Sequence, residues 1–393
     1  MKNIIYISIL LIQVHFVFGQ SLNSHNVDSL IAKYAKEYSI VGLSIGVIYD
    51  GAVETNSFGN ISYDSEIAID ENTLFNTASI TKLFTATAIM QLVEEGKLTL
   101  NDKLSDILPE FKMKDKRYTE ITIQHLLTHS SGLMWNNKLN KSPDNKSSLP
   151  LYLQQLEKKK LAFEPGSKMS YYTYSNVAFD LLGLVIERVS DKTYFDFIED
   201  KQLNKLDLDQ STFEYETIAP SKLALPQIVA GKSKAIKKLN FQGVDRKRNP
   251  IINGDPLCLE VHDRIGEDYE HNPSGNLMSS TSELLLWIDE IIKLHNRSDS
   301  NSIISHSSLD RMWSKNYLAS GDDISIGLAW WIKEDKKYGK SYFHVGTNPG
   351  YSSILMIFPE ENFGITILSN GWYGKDVVWK KLFYEIVELY IGK

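Results

Sequence analysis

The segment that most constrains the fold is residues 83–93, which is apolar except at Thr85, Thr87 and Gln91. A helix that is apolar on nearly every side is usually buried in a domain core, because a surface helix needs a polar face. Gly96 follows the segment and can take the left-handed conformation in which helices commonly end. The sequence therefore predicts a buried helix around which the rest of the chain packs.

Ser79 and Lys82 stand just before this segment, three residues apart, which puts them on one face of the first helical turn. Thr77 or Asn76 can cap that turn. A serine hydroxyl needs a base within hydrogen-bond reach, and a lysine is a base only when it is neutral. Lowering a lysine pKa from about 10.4 to about 7.5 costs roughly 4 kcal/mol, which burial and neighbouring charges can supply. The pair predicts a nucleophile and its base; the alternative is a surface serine and a solvated lysine.

The charge and the cysteine content exclude several classes of function. The chain has 393 residues and a net charge of −7, which argues against binding to nucleic acid or to an anionic membrane, since such proteins carry a basic surface. Cys258 is its one cysteine, so there is no internal disulfide and no cysteine cluster for a structural zinc ion. We expect the core to be held by packing alone.

Residues 1–19 have the pattern of a secretory signal peptide. Lys2 is followed by an apolar run from Ile4 to Phe18, and Val17 and Gly19 suit the −3 and −1 positions of a cleavage site. The run is short for a membrane span, and no later stretch is long and apolar enough to be one. We expect cleavage and a periplasmic or secreted protein; an uncleaved anchor is the alternative.

Strand patterns lie at both ends of the chain, with helical patterns between them. A first helix ends near Tyr38, and Asp50-Gly51 is a strong hairpin signal between two strand-like runs. The predicted strands are Val41–Ile48, Val53–Phe58, Ile326–Ile332, Ser353–Phe358 and Gly364–Ser369, followed by a helix at Val377–Ile391. The fold class is α+β: an antiparallel sheet from both chain ends, flanked by helices, with a mostly helical lobe at about 76–213 inserted.

The patterns are least informative for residues 214–272. Basic residues gather between Lys232 and Arg248, and an acidic stretch follows near Glu267. We predict a charged, solvent-facing excursion within a single domain that spans residues 20–393. The alternative is a surface that contacts an anionic substrate such as a wall or matrix polysaccharide.

Two further patterns resemble functional motifs in unsuitable surroundings. Gly42–Gly46 reads Gly-x-Ser-x-Gly, but a nucleophile elbow requires a strand, a sharp turn and a helix, and this copy lies within a predicted strand. His125 and His129 are four residues apart, as in zinc peptidases, but a leucine replaces the required glutamate. Thr122 can cap a helix through Leu127, and Gly132 can end it. We predict structural histidines; a metal site is the alternative.

Three short patterns occur in order along the chain, namely Ser79-x-x-Lys82, Tyr174-Ser175-Asn176 and His344-Val345-Gly346. Each is weak alone, but together they match a set known in β-lactamases and penicillin-binding proteins. With them, the chain resembles the serine β-lactamase-related family, which includes class C β-lactamases, penicillin-binding D-Ala-D-Ala carboxypeptidases and esterases. The resemblance covers most of residues 28–390 and also includes Leu126–Leu133, Pro165-Gly166 and Gly275–Thr281.

The resemblance implies a role for each matched side chain. Ser79 would attack a carbonyl and become acylated, while Lys82 and Tyr174 would share the proton transfers as coupled general base and acid. Asn176 would hold the substrate and help to orient the lysine. His344 would line the site where class C β-lactamases usually have a lysine. Because a histidine with a pKa of about 6.5 is mostly neutral at pH 7.5, efficient β-lactam hydrolysis is not expected.

The resemblance also implies an oxyanion hole. The backbone N–H groups of Ser79 and Thr347 would form it, each worth about 3–4 kcal/mol. Gly346 would let the substrate approach the strand edge closely. No metal and no cofactor are implied.

The predicted function is an exported serine hydrolase that forms a covalent acyl-enzyme with an ester, a D-amino-acid amide or a β-lactam-like carbonyl. A carboxypeptidase or esterase ranks above a true β-lactamase. The expected partner is a small-molecule, peptide or cell-wall or glycan-derived substrate, with no nucleic acid, and the oligomeric state is left open. The alternative from another class is a non-catalytic binding protein on the same fold.

Overall fold

The structure is a computed structural model that describes residues 24–38, 40–134, 148–167, 173–229, 259–261, 272–296, 302–318, 324–371 and 381–392. The predicted signal peptide, residues 1–19, lies outside these ranges, as does most of the predicted excursion at 214–272. None of the helices in the described part of the chain combines the length and the apolar character needed to cross a bilayer.

The strands of the described residues build one large sheet and two small ones. They are β1 (Gly42–Tyr49), β2 (Ala52–Gly59), β3 (Phe75–Asn76), β4 (Gln227–Val229), β5 (Leu259–Val261), β6 (Met278–Ser279), β7 (Tyr317–Leu318), β8 (Ile324–Ile326), β9 (Trp331–Asp335), β10 (Gly339–Asn348), β11 (Tyr351–Phe358) and β12 (Phe363–Ser369). The large sheet has the order β2-β1-β12-β11-β10-β9-β8-β7, and its neighbouring strands are antiparallel. The N-terminal hairpin thus pairs with the C-terminal strands, as predicted. Gly42–Gly46 lies within β1 and forms no elbow.

Most of the helices lie between the two groups of strands in the chain. The α-helices of the described residues are α1 (Ser24–Tyr38), α2 (Thr81–Glu94), α3 (Leu104–Ile107), α4 (Ile123–Leu127), α5 (Ser148–Glu157), α6 (Asn176–Ser190), α7 (Tyr194–Ile198), α8 (Asn272–Gly275), α9 (Thr281–Asn296), α10 (His306–Met312) and α11 (Phe383–Ile391), of which α1 precedes the sheet strands and α11 follows them. Residues 377–380 of the predicted last helix lie outside the described ranges.

The sheet is covered on both faces, so its central strands are apolar on both sides. All eight residues of β11 are buried. Leu355 and Ile357 join the larger core, which includes residues of α2, α6 and α9, while Ile354 and Met356 join a second core with α1 and α11. The period of two along the strand therefore sends alternate side chains into different cores.

Helix α2 is the buried helix that the sequence predicted. Every residue from Thr81 to Leu92 is buried, and Gly96 has a φ of +67° just beyond the end of the helix. Two of its polar side chains have partners inside the protein, since Thr85 Oγ1 donates to Pro273 O at 2.6 Å and Gln91 Nε2 donates to a backbone carbonyl at 2.9 Å. This helix fixes the position of the residues at its N-terminus.

The strand predicted at Ile326–Ile332 was wrong, because β8 and β9 are separated by residues 327–330. A Cβ on Gly327 would lie 2.0 Å from Met312 O, so this segment packs directly on the end of α10. Leu328 N–H donates to Met312 O at 2.8 Å, and Ala329 N–H donates to the last carbonyl of α4 at 3.0 Å. The backbone thus bonds to two helix ends instead of to a neighbouring strand.

Candidate active site

Ser79 lies in a tight 3₁₀ turn, Ala78–Ile80, that leads directly into α2. The predicted nucleophile therefore precedes the α-helix and is not in its first turn. Ala78 has a φ of +50°, and Asn76, one of the two predicted caps, stabilises this conformation because its Oδ1 accepts from Ala78 N–H at 2.8 Å. Thr81 Oγ1 donates to Ala78 O at 2.7 Å. The turn is held from both sides and presents a partly exposed serine.

Lys82 is fully buried, and its Nζ reaches three oxygen atoms. Nζ lies 2.9 Å from Asn176 Oδ1, 2.5 Å from Ser274 O and 3.1 Å from Ser79 Oγ. The amide and carbonyl oxygens can only accept, so they take two N–H groups of the amine. In the neutral amine the remaining position is a lone pair, and it faces the serine hydroxyl. The geometry suits transfer of the serine proton to the lysine.

The surroundings of Lys82 favour its neutral form. Burial lowers the pKa of Lys82 from 10.5 to about 7, while the negative charge of Asp180 opposes this shift. The ring centres of Tyr174 and Phe179 lie 4.9 Å and 5.5 Å from Nζ, so aromatic carbon replaces water around the amine. Because a general base works best with a pKa near the operating pH, Lys82 is suited to this role.

Tyr174 stands between Lys82 and two buried histidines. Its ring centre lies 4.3 Å from that of His129 and 6.2 Å from that of His344. The next residue, Ser175, caps α6, because its Oγ accepts from the backbone N–H three residues later at 3.1 Å. Asn176 is thus the first residue of α6, and its hydrogen bond from Lys82 Nζ joins this end of α6 to α2.

Helix α4 ends at Leu127 as predicted, but the residue that terminates it is His129, so the prediction that Gly132 ends this helix was wrong. His129 has a φ of +54°, its N–H donates to Leu126 O at 3.2 Å, and the following N–H donates to His125 O at 2.9 Å. These two bonds form a Schellman motif, whose left-handed position is usually a glycine. The His129 ring accepts a hydrogen bond at Nδ1 from Ser175 N–H at 3.2 Å. The histidine therefore supports the segment that carries Tyr174.

His125 has a structural contact as well. Its Nδ1 accepts from Thr122 N–H at 3.2 Å, and Thr122 Oγ1 accepts from His125 N–H at 3.3 Å, which makes the capping box at the predicted start of α4. Across the ranges that the structure describes, no group of three or more His, Cys, Asp or Glu side chains is placed to hold a metal ion.

His344 is buried and neutral. Its Nδ1–H donates to Val345 O at 2.8 Å, which leaves the lone pair on Nε2. Burial lowers the pKa of His344 to about 3, and the positive charge of Lys82 acts in the same direction. The position that holds a lysine in class C β-lactamases therefore provides a neutral hydrogen-bond acceptor and no cation.

Gly346 is required by packing within the protein. A Cβ on Gly346 would lie 2.1 Å from Ser353 Oγ and 2.5 Å from Thr77 O. The resemblance implied close approach of a substrate at this glycine, but the space beside it holds the Ala78–Ile80 turn that carries Ser79, here called the nucleophile turn. The glycine lets β10 lie directly against that turn.

Thr347 lies on the open part of β10. β9 pairs with β10 only as far as Phe343, so residues 344–348 have no second neighbour among the described strands. Pro349 and Gly350, which has a φ of +80°, have the residue types and the positive φ of a type II turn, and Asn348 pairs with Tyr351 across it. In a hairpin with a two-residue loop, these flanking residues are the hydrogen-bonded pair. Because N–H groups alternate along a strand, Thr347 N–H points away from β11 and toward the open edge.

Some contacts in the site were not indicated by the sequence. Ser274 binds Lys82 through a backbone carbonyl, which any residue type could supply, so no pattern could identify it. Asp180 is a buried acidic residue within an apolar stretch of α6, and an acidic residue in such a stretch is a signal that was available in the sequence. Asn76 and Asn348 are 272 positions apart and bond to each other only because the fold brings them together.

Three comparisons relate this chain to known proteins. The family model described as Beta-lactamase matches residues 27–383. "Protein flp" of Staphylococcus aureus (strain MW2) is 28% identical over 354 residues, which are 88% of this chain and 63% of that protein. "Penicillin-binding protein 4*" of Bacillus subtilis (strain 168) is 25% identical over 324 residues, 80% of this chain and 64% of the relative. The chain spans less than two thirds of the length of these relatives.

Solved structures share the fold at lower sequence identity. An octameric penicillin-binding protein homologue from Pyrococcus abyssi has a TM-score of 0.70 and 23% identity, with 94% of this chain and 78% of that chain covered. A class C beta-lactamase in complex with cefoxitin has a TM-score of 0.72 and 19% identity, with 93% and 98% covered. The predicted β-lactamase/transpeptidase-like fold is therefore confirmed.

Proposed function

This chain belongs to the beta-lactamase family, as its sequence patterns predicted, and on that basis we propose that it is a serine hydrolase that works through a covalent acyl-enzyme. The observation that carries the proposal is the buried Lys82 amine, with a pKa of about 7, at 3.1 Å from Ser79 Oγ. A buried amine beside a serine hydroxyl is the arrangement that activates a nucleophile near neutral pH.

The proposed acylation begins when Ser79 Oγ attacks the substrate carbonyl carbon and its proton moves to Lys82 Nζ. The carbonyl oxygen becomes an oxyanion that accepts hydrogen bonds from the N–H groups of Ser79 and Thr347. The bond to the leaving group then breaks, and the leaving group takes a proton from the Lys82–Tyr174 pair. Water repeats these steps on the acyl-enzyme, and the acid is released with the serine restored.

Asn176 and Ser274 orient the base in this proposal. Their oxygens bind two N–H groups of Lys82, so the amine cannot rotate its lone pair away from Ser79. The resemblance to the family also assigns to Asn176 the role of holding the substrate. The side chain thus serves both the base and the substrate.

The neutral state of His344 supports an uncharged substrate group at this position. Penicillins and D-Ala-terminated peptides carry a carboxylate, which a fixed cation would bind more strongly than a neutral imidazole does. We therefore rank esters first, D-amino-acid amides second and β-lactams last. A group with a hydroxyl or N–H donor would match the lone pair on His344 Nε2.

We further propose that the protein acts outside the cytoplasm as one domain over residues 20–393. The support is the signal-peptide pattern in residues 1–19. The proposed substrates, which include small esters, peptides and cell-wall or glycan derivatives, are consistent with this location.

A labelling and turnover experiment tests the function. The wild type and Ser79→Ala are incubated with a fluorophosphonate and with a fluorescent penicillin, and then assayed on short-chain p-nitrophenyl esters, D-Ala-D-Ala peptides and penicillins. We expect labelling and ester hydrolysis in the wild type and neither in Ser79→Ala. Equal labelling of both proteins would contradict the nucleophile. A wild type that binds substrates, is not labelled by either probe and does not hydrolyse the substrates would favour a binding protein.

A further inference from the structure

Two asparagine side chains join the three backbone segments that surround the reacting atoms. Asn348 Nδ2 donates to Asn76 Oδ1 at 2.8 Å and to Gly275 O at 2.9 Å. Asn76 Oδ1 also accepts from Ala78 N–H at 2.8 Å. We call this set of four residues the asparagine bridge.

The chemistry of the bridge leaves one orientation for each amide. Gly275 O and Asn76 Oδ1 only accept, so the Asn348 atom that faces both of them must be the NH₂ group. Ala78 N–H only donates, so the Asn76 atom that faces it must be the oxygen. Both hydrogens of Asn348 Nδ2 and both lone pairs of Asn76 Oδ1 are therefore used, and neither side chain can rotate without losing bonds.

Three of the four residues of the bridge are next in sequence to a backbone group of the proposed reaction. Ala78 precedes the N–H of Ser79, Asn348 follows the N–H of Thr347, and Gly275 follows the carbonyl of Ser274 that binds Lys82. The two N–H groups come from different elements, the nucleophile turn and β10, so their separation depends on how these elements are joined. The bridge is a direct side-chain bond between them.

On the basis of the acyl-enzyme function proposed above, we propose that Asn76 and Asn348 are positioning residues that set the spacing of the two oxyanion donors. They touch no reacting atom. Removal of the bridge lets β10 and the nucleophile turn separate slightly, and a misplacement of about 1 Å in an active site can cost about 100-fold in rate. Ground-state binding of a substrate depends far less on this spacing, since the oxyanion forms only during the reaction.

The two asparagines use opposite halves of their amides, which gives a matched set of variants. Asn76→Asp keeps the accepting oxygen, whereas Asn76→Leu removes it at similar size. Asn348→Asp replaces the donor with a carboxylate that faces two acceptors. The control is Asn296→Asp, which makes the same change in an exposed amide pair, Asn296 with Asn362 at 2.5 Å, on another part of the molecule.

The rate of fluorophosphonate labelling of Ser79 is measured for each variant at about pH 8, with the maximal rate constant and the apparent affinity determined separately. We expect the maximal rate to fall about 10- to 100-fold in Asn348→Asp and Asn76→Leu. In Asn76→Asp and Asn296→Asp it should stay within about threefold of the wild type, and the apparent affinity should change little in all four.

Several outcomes overturn the proposal. Wild-type labelling rates in Asn348→Asp, or equal losses in Asn76→Asp and Asn76→Leu, would mean that the bridge does not position the donors. A lower melting temperature with an unchanged labelling rate would mean that it only stabilises the fold. If Asn348→Asp does not fold, the two Asn76 variants decide the matter. A wild type that neither labels nor hydrolyses any ester overturns the proposed function together with the bridge, whereas an active wild type with equally active variants overturns the bridge alone.

Discussion

Substitution of Lys82 by methionine measures how strongly the fold destabilises the charged lysine. Lowering the pKa of Lys82 from 10.5 to about 7 corresponds to about 5 kcal/mol, at about 1.36 kcal/mol per pH unit. Below about pH 7 the lysine is protonated in both the folded and the unfolded states, and the folded state bears this full cost. Between about 7 and 10.5 the unfolded chain binds the proton and the folded protein does not, so stability rises with pH.

The methionine variant removes this pH dependence and keeps a similar side-chain volume. It also leaves Asn176 Oδ1 and Ser274 O without the lysine donor, at about 1–3 kcal/mol each. That loss does not vary with pH. The free energy of unfolding of the wild type, relative to Lys82→Met, should therefore increase by about 1.4 kcal/mol per pH unit, or about 3 kcal/mol from about pH 7.5 to about pH 9.5.

The assay is urea unfolding followed by tryptophan fluorescence at several pH values for the wild type, Lys82→Met and Leu83→Met. Leu83 is a fully buried neighbour in the same helix, so its variant changes packing without changing a titratable group. The wild type relative to Leu83→Met should give a difference that is flat with pH. If the difference for Lys82→Met is equally flat, Lys82 is not perturbed in the folded protein and the reasoning about its neutrality is refuted.

Two further predictions concern the neighbours of this base. Asp180→Asn removes the charge that raises the Lys82 pKa, so the acidic limb of the kcat/KM profile should move to lower pH by on the order of one pH unit; an unmoved limb would show that Asp180 does not act on the base. Gly346→Ala puts a Cβ 2.1 Å from Ser353 Oγ. We expect about 100-fold lower ester hydrolysis, measured by steady-state kinetics, and a loss of about 1–3 kcal/mol in the free energy of unfolding, measured with urea. Wild-type values in both assays would contradict the close packing of β10 on the nucleophile turn.

Elements whose formation depends on local chemistry were predictable from the sequence. The burial of α2 follows from its apolar sequence. The end of α2 near Gly96 and the start of α4 at Thr122 follow from the local preferences of capping residues. The hairpin of β1 and β2 follows from the Asp-Gly turn. Because strand patterns lie at both ends of the chain with helical patterns between them, the antiparallel sheet built from both chain ends was also predictable.

The errors arose where distant parts of the chain decide the local conformation. His129 takes the left-handed position that a glycine would normally hold, and its ring binds Ser175 N–H, 46 positions away. Residues 327–330 leave the sheet because two helix ends supply hydrogen bonds to them. The hydrogen bond between Asn76 and Asn348 is likewise a product of the tertiary fold, and no spacing in the sequence predicts it.

The proposed activation of Ser79 by a neutral Lys82 is tested most directly by the pH dependence of Ser79 labelling. The rate constant for fluorophosphonate labelling of the wild type should rise with pH as a single proton is lost and reach half its maximum near pH 7, the value to which burial lowers the pKa of Lys82. A half-maximum near pH 10, where an ordinary lysine titrates, or a rate independent of pH would contradict this activation.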